Sequence, residues 1–372
     1  MTSCHAHTIK LYLLSNHSNV VEHNQALGIA AALEKLSPQK IYLVDLNAQT
    51  FTSGEIKAKI EENLSNEKVI VIGTGEGGIA GIQPLSKHRN LIICLSSHVF
   101  LDDYKTPELL NKVNYIAIPS HEVTTNQKLL GAKLIETTGV THNRNPEIVD
   151  KVYNAWKKEL PNCPSYLGIG LGGDVPTLSK EIKFFTQEEA IELAEYIAGA
   201  AQNACILVFN GAHTGKYTAT KQEDKKVHQL GYSDPITLLF KKQLAAAGIK
   251  NIRVFNFQHN TPENKPWISP YDSFDLIVGA VRATDGQIFV PGESTSMISE
   301  VIDILPLGHV IVYENNVMNR VHKAYVDSEF AAGRIYILKN YHSIITPVAN
   351  IKEKKPSTNQ IIANKIWEAV VS

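Results

Sequence analysis

The chain has 372 residues, 44% of them hydrophobic and 20% charged, a make-up that excludes a disordered or fibrous protein. That length is generous for one compact core and comfortable for two. Lys and Arg total 36 against 37 for Asp and Glu, so no global field draws the chain to nucleic acid or to an anionic membrane.

The first residues, MTSCHAHTIK, contain no apolar stretch of signal-peptide type. No apolar run approaches the roughly 20 residues that a membrane-spanning helix requires. Of the four cysteines, Cys94 and Cys205 sit inside apolar runs (LIICL and ACILVF) and read as buried free thiols. With Cys4 and Cys163 they form no CxxC pair, and a reducing, cytoplasmic setting is expected. Cys4, His5 and His7 are close in sequence but lack a fourth ligand, so no metal site is expected.

Short apolar runs alternate with longer amphipathic segments. Ile9–Leu14 reads as a strand, Asn24–Leu36 as a helix, Ile41–Leu46 as a strand, Ile56–Leu64 as a helix and Val69–Ile72 as a strand. Strands at Leu91–Leu95 and Tyr115–Ile118 follow, and then a helix over Pro146–Leu160. After a Pro-containing break at Pro161–Pro164 come strands at Tyr166–Leu171, Cys205–Phe209, Ile252–Phe255, Leu276–Val278, Ile288–Val290 and Val310–Tyr313. Helices are expected at Gln187–Ala201, Pro235–Ala247, Thr295–Ile304, Asn316–Glu329 and Asn359–Val370, with a polar loop over Thr214–Ser233. Strand–helix alternation with nearly continuous apolar strands predicts parallel sheets covered on both faces. The fold expected is α/β, two Rossmann-like doubly wound domains facing a cleft. Their bounds are 1–160 on the acceptor side and 161–355 on the nucleotide side, with 356–372 as a helix packing back on the body.

Ligands of such sheets bind beyond the carboxyl ends of the strands. After the strand ending at Val290, Pro291 and Gly292 turn the chain, and Ser294 or Thr295 can cap the next helix. The exposed N–H groups and dipole of such a helix start suit a phosphate. Ser296 and Glu300 are four apart and share a face, placing a carboxylate one turn below, in reach of a ribose; a plain capping turn is the alternative. Gly172 and Gly173 follow the first strand of the second domain, and His213, Thr214 and Lys216 follow its next one. Those glycines let backbone approach a ligand, and the side chains offer donors to a diphosphate. Gly73–Gly78 (GTGEGG) matches GxGxxG, with Asp102 and Asp103 near the offset for a ribose-binding acid, but it follows the third strand rather than the first. The loop after the first strand holds His17, Glu22 and His23, where an imidazole suits a general base.

Four blocks in order, HNQALGIAAAL (His23–Leu33), YIAIPSHE (Tyr115–Glu122), TTGVTHNRNPE (Thr137–Glu147) and GESTSMISE (Gly292–Glu300), resemble the family of the plant mitochondrial-fission (elongated mitochondria) factor and its bacterial relatives. That family is similar to GT-B glycosyltransferases. The resemblance implies a nucleotide-sugar site with Glu300 on the ribose and the Ser294–Ser296 turn on the diphosphate. It implies transfer without a metal and no permanently bound cofactor, the sugar nucleotide being the donor substrate. Lys216 and Arg320 are the candidates for charge on the departing diphosphate, and His17 and His23 for catalysis on an unidentified acceptor. The sequence departs from the family where the first loop lacks glycines, where GTGEGG replaces an arginine-rich turn, and where Ala212-His213 replaces an arginine pair. Those departures keep open a non-catalytic, partner-binding adaptor, and Gly73–Gly78 keeps open an NAD- or FAD-dependent enzyme.

Overall fold

Strands apolar on both faces must be covered on both faces, and parallel pairing through crossover helices does this. A computed structural model describes residues 8–65, 67–98, 105–176, 181–201, 203–217, 222–224, 232–257, 272–341 and 356–372. The chain divides into two units, Met1–Asn143 with Lys355–Ser372, and Arg144–Lys354.

In the first unit, β1 (Ile9–Ser15), α1 (Val20–Leu36), β2 (Ile41–Asn47), α2 (Ser53–Glu61), β3 (Lys68–Thr74) and α3 (Gly75–Ile82) come first. They are followed by β4 (Leu91–Ser96), α4 (Pro107–Lys112), β5 (Tyr115–Pro119), α5 (Ser120–Leu130) and β6 (Leu134–Thr137). The sheet order is β2-β1-β3-β4-β5-β6, all parallel. Successive residues of β1 feed opposite layers. Leu11 and Leu13 pack with Ile29 and Leu33 of α1, whereas Tyr12 and Leu14 join Ile56 and Ile60 of α2.

The second unit opens with α6 (Pro146–Trp156), β7 (Tyr166–Gly170), a small antiparallel pair β8 (Val175–Pro176) and β9 (Ile182–Lys183), α7 (Gln187–Ala200) and β10 (Cys205–Phe209). It continues through α8 (Pro235–Ala246), β11 (Ile252–Phe255), α9 (Asp272–Ala283), β12 (Gln287–Pro291), α10 (Thr295–Ile304), β13 (Val310–Tyr313), α11 (Arg320–Ala331) and β14 (Tyr336–Leu338). The main sheet runs β11-β10-β7-β12-β13-β14, again all parallel. Counted within the unit this is 3-2-1-4-5-6, the order of the dinucleotide-binding fold. The last helix, α12 (Thr358–Val371), starts at a Ser357–Gln360 capping box and belongs to the first unit. Its Ile362, Ala363 and Ile366 are fully buried in the layer that holds α1. Gly28 of α1 is required there, because a Cβ would lie 2.0 Å from the His142 carbonyl oxygen.

Several expectations change. The division falls at Asn143/Arg144 rather than at 160/161, because α6 packs on α9 and its Val149 belongs to the second unit's core. An Arg144–Asp275 ion pair at 3.0 Å and an Arg282–Asp150 pair at 2.6 Å tie the same segment down. Leu276–Val278 is not a strand but the middle of α9. A short apolar run fits a buried helix as well as a strand, and Leu276, Ile277, Val278, Ala280 and Val281 are all fully buried. Elements α3, α4, α5, β6 and β14 have no counterpart in the sequence reading, and the helix expected from Asn316 begins at Arg320 behind an Asn319 cap. Cys205 is not a free thiol. It pairs with Cys163 as a disulfide, Cα–Cα 6.0 Å, while Cys94 remains free and buried. The argument for a reducing compartment from unpaired cysteines therefore falls away. Cys4, His5, His7, Asp102 and Asp103 lie outside the described residues, as does much of Thr214–Ser233. Among the described residues no helix is long and apolar enough to cross a membrane.

Ile366→Ala removes a fully buried side chain between α12 and its sheet, and is expected to cost about 2–4 kcal/mol of stability. A urea denaturation series reads this directly, and an unchanged midpoint would mean that α12 adds nothing to the first unit's core.

Candidate functional site

Where strand order reverses, crossovers leave to opposite faces and the loop N–H groups at the carboxyl edge lie open. In the second unit this happens between β7 and β12. After β12 the chain turns through Pro291–Ser294, with the Ser294 N–H donating to the Pro291 carbonyl at 3.2 Å. A Cβ on Gly292 would press on the flexible Met318 side chain and come within 3.2 Å of the Tyr313 carbonyl oxygen, which favours a glycine in that turn. Ser294 is the N-cap of α10, yet its side chain makes no cap bond, and the first turn carries no acid. The N–H groups of Thr295, Ser296 and Met297 thus face the helix start without a side-chain cap, and no acid of the first turn offsets the helix dipole there. Ser296 and Glu300 are half-buried on one face, whereas Ser299 is buried and bonded to the Thr295 carbonyl and the Tyr325 hydroxyl.

The sequence singled out six further residues of this unit. Gly172 and Gly173 follow β7, but their missing side chains make room for protein rather than ligand. A Cβ at Gly172 would meet the Phe185 ring at 2.6 Å, and one at Gly173 the His213 Cβ at 2.8 Å. The Gly173 N–H already donates to Glu293 Oε1 at 2.8 Å, and Asn315 Nδ2 donates to Oε2 at 2.6 Å. Burial pushes the Glu293 carboxyl up to about 7, against the pull of those two donors. His213 is exposed, and its carbonyl accepts from the Asp174 N–H at 2.9 Å. Thr214 is buried; its hydroxyl accepts from the Gly211 N–H and holds the loop closed. Lys216 is ion-paired with the exposed Glu223 at 3.2 Å. Arg320 is exposed at the first position of α11. The strand order β10-β7-β12-β13 brings the loops of Lys216, Gly173, Ser294 and Arg320 to one carboxyl edge, over a width of about 14 Å.

Asp174 anchors the same loops. Its carboxylate accepts from the Phe185 N–H at 3.2 Å and the Tyr217 N–H at 3.1 Å, and burial pushes it up to about 6.

The first unit reverses between β1 and β3, where GTGEGG begins α3. Here the helix start is filled from within. Glu22 sends its carboxylate to the Glu76 and Gly77 N–H groups, and burial raises its pKa despite them. Gly75 has φ of +57°, and a Cβ on it would lie 2.1 Å from the Glu22 carboxyl carbon. Gly77 lies against the Asn16 nitrogen and Gly78 against Gly73. The glycines of this GxGxxG therefore serve close packing of α3 on β1 and β3, and a protein carboxylate holds the position a dinucleotide phosphate needs.

Beside it the structure gathers His17 and His23 with Asp45 of β2, which the sequence reading missed. His17 Nε2 lies 2.9 Å from Asp45 Oδ1, and His23 Nε2 3.4 Å from Oδ2. The buried Ser15 hydroxyl is 3.1 Å from His23 Nδ1. Burial, with a contribution from His17, lowers the His23 pKa against the pull of Asp45, so its ring is neutral near pH 7. The signal for Asp45 was a lone carboxylate near the carboxyl end of an otherwise apolar strand, IYLVDLN. Glu293 lay in view beside the helix start, but nothing in its spacing pointed to Gly173.

No family model matches the chain, and no curated protein matches it. Among solved structures it is similar to E. coli ADP-heptose lipopolysaccharide heptosyltransferase II, at 9% identity and TM-score 0.46 over 98% of both chains. It is also similar to a family 9 glycosyl transferase from Veillonella parvula, at 11% identity and TM-score 0.42 over 98% of both chains. A third is S. aureus MnaA solved with UDP, at 10% identity and TM-score 0.42 over 97% of this chain and 88% of that one.

Glu293 binds a proton more tightly in the folded chain, at about 7, than at its ordinary 4.5. The folded state accordingly loses stability as pH rises between those values, and Asp174 adds to the same trend from 3.8 to about 6. Glu293→Gln is expected to stabilise the protein by about 1–3 kcal/mol at pH 8 relative to the parent and to leave it unchanged at pH 4. Equal effects at both pH values, read from urea midpoints, would contradict the buried-carboxyl assignment.

Proposed function

We propose that the second unit binds a nucleoside diphosphate at the start of α10, and that the chain is a glycosyltransferase using a nucleoside-diphosphate sugar. The observation that carries this reading is the uncapped, acid-free first turn of α10 at the reversal between β7 and β12. The N–H groups of Thr295–Met297 and the hydroxyls of Ser294–Ser296 take the diphosphate. Glu300, one turn on, accepts the ribose hydroxyls. Lys216 and Arg320 supply positive charge as the diphosphate departs, which makes transfer independent of a metal. His23 or His17, held by Asp45 in the first unit, is the base we propose for the acceptor hydroxyl. Membership of the mitochondrial-fission-factor family is part of this proposal and rests on the four sequence blocks alone.

One observation favours a second reading, a partner-binding protein without catalysis. The Gly173 N–H is committed to Glu293 and Lys216 to Glu223, leaving fewer donors for a diphosphate than the glycine-bearing loops promised. A nicotinamide or flavin at Gly73–Gly78 is disfavoured by the Glu22 carboxylate at that helix start.

Calorimetric titration with UDP, ADP, GDP, NAD and FAD separates the three. The transferase reading expects one nucleoside diphosphate to bind, and Glu300→Ala to weaken it at least tenfold, about 1.4 kcal/mol, with an unchanged melting temperature. Unchanged affinity in that variant removes Glu300 from the site, and a wholly flat panel favours the adaptor.

A further inference from the structure

We propose that His17, His23 and Asp45 form a binding site for a divalent transition-metal ion of the Zn²⁺ type, with one coordination position open. Two imidazoles and a carboxylate are the donor set of open, three-ligand zinc sites, and among the described residues Asp45 is ion-paired with these two histidines rather than with a lysine or arginine. Their ligand atoms all lie within 4.8 Å of one another. A tetrahedral ion with bonds of about 2.0–2.1 Å holds its ligand atoms roughly 3.3 Å apart. His17 Nε2 lies 2.9 Å from Asp45 Oδ1 and His23 Nε2 3.4 Å from Asp45 Oδ2, distances on either side of that spacing, each made to a different oxygen of the one carboxylate.

The backbone makes the cluster durable. Asp45 lies on β2 and is paired in register with Leu13 of β1, and Ser15 ends that same strand. His23 projects from the first turn of α1, which Asn19 caps. His17 stands in the short connection between β1 and α1, where its N–H reaches Asn47 Oδ1. Two of the three ligands thus sit on regular elements, and the third is held on a short tether.

The surroundings supply what a ligating imidazole needs. Ser15 Oγ lies on His23 Nδ1, fixing the ring and leaving Nε2 for the ion. A hydroxyl can accept or donate, so it supports the ring both before and after Nε2 loses its proton. Without the ion, both Nε2 atoms face the oxygens of one carboxylate; with it, each Nε2 lone pair turns to the ion and the His23 proton sits on Nδ1, where Ser15 Oγ accepts it. The three side chains are between one fifth and one third exposed, which leaves the fourth position to water or an oxygen ligand.

The inference goes beyond the transferase reading and does not depend on it. An ion here occupies the lone pairs that transfer assigns to a base, so the two uses of the imidazoles alternate rather than combine.

The test uses the full chain, stripped with chelator and titrated with ZnCl₂ by calorimetry and with CoCl₂ by visible absorption. One ion per chain is expected, with a ligand-field spectrum of low-coordinate Co²⁺. Asp45→Asn and His17→Ala each weaken binding at least tenfold, while Cys4→Ser/His5→Ala/His7→Ala leaves it unchanged. In the parent protein, ¹⁵N spectra of the imidazoles show the Nε2 resonances of His17 and His23 moving on addition of Zn²⁺. The proposal is overturned by no binding, by binding that survives both site variants, by its loss in the N-terminal variant, or by shifts confined to other histidines.

Discussion

Backbone N–H groups at the point where a parallel sheet reverses its strand order need an anionic or polar partner, and that need divides this molecule's two units. The first unit meets it internally. Glu22 reaches from α1 to the start of α3 and takes the Glu76 and Gly77 N–H groups, with Gly75 shaped around its carboxyl. The second unit meets it only in part. Glu293 takes the Gly173 N–H, but the first turn of α10 has neither a side-chain cap nor an acid of its own. An anion placed there gains unpaired donors and a favourable dipole. In the first unit it would have to displace a carboxylate already bonded.

The loops around the α10 start are braced by buried carboxyls. Asp174 holds the Phe185 and Tyr217 N–H groups, joining the β7 loop to the β10 loop. Asp234 caps α8 and accepts from Asn210 at the end of β10 at 2.8 Å. Glu293 joins the β7 loop to Asn315 after β13. Three carboxyls thus connect four adjacent strand ends. Desolvating them is costly, and burial accordingly raises the pKa values of Asp174 and Glu293. In return these bonds join neighbouring loops to one another, which suits a surface that must present N–H groups to a ligand in a fixed pattern.

Much of this architecture was legible from periodicity. Cys205–Phe209, Ile252–Phe255, Val310–Tyr313 and Thr295–Ile304 have the predicted bounds, because each is a β-branched or amphipathic run closed by turn or capping residues. The failures have physical causes. Helix α3 carries four glycines, which read as a loop, but close approach to β1 and β3 demands them. The middle of helix α9, Leu276–Val278, is a short apolar run, and such a run fits a buried helix as well as a strand. At the site, Ser294–Ser296 and Glu300 were visible because they lie together in sequence on one helix start. Asp45 and Glu293 were not, because their partners lie 28 and 120 residues away and only the sheet order brings them together.

Amide hydrogen exchange with and without a saturating nucleoside diphosphate tests the central claim most directly. Exchange at residues 294–297 is predicted to slow on binding, while residues 73–78, where Glu22 already holds the Glu76 and Gly77 N–H groups, stay unchanged. Protection at 73–78 without protection at 294–297 would contradict the assignment of the anion site to the second unit.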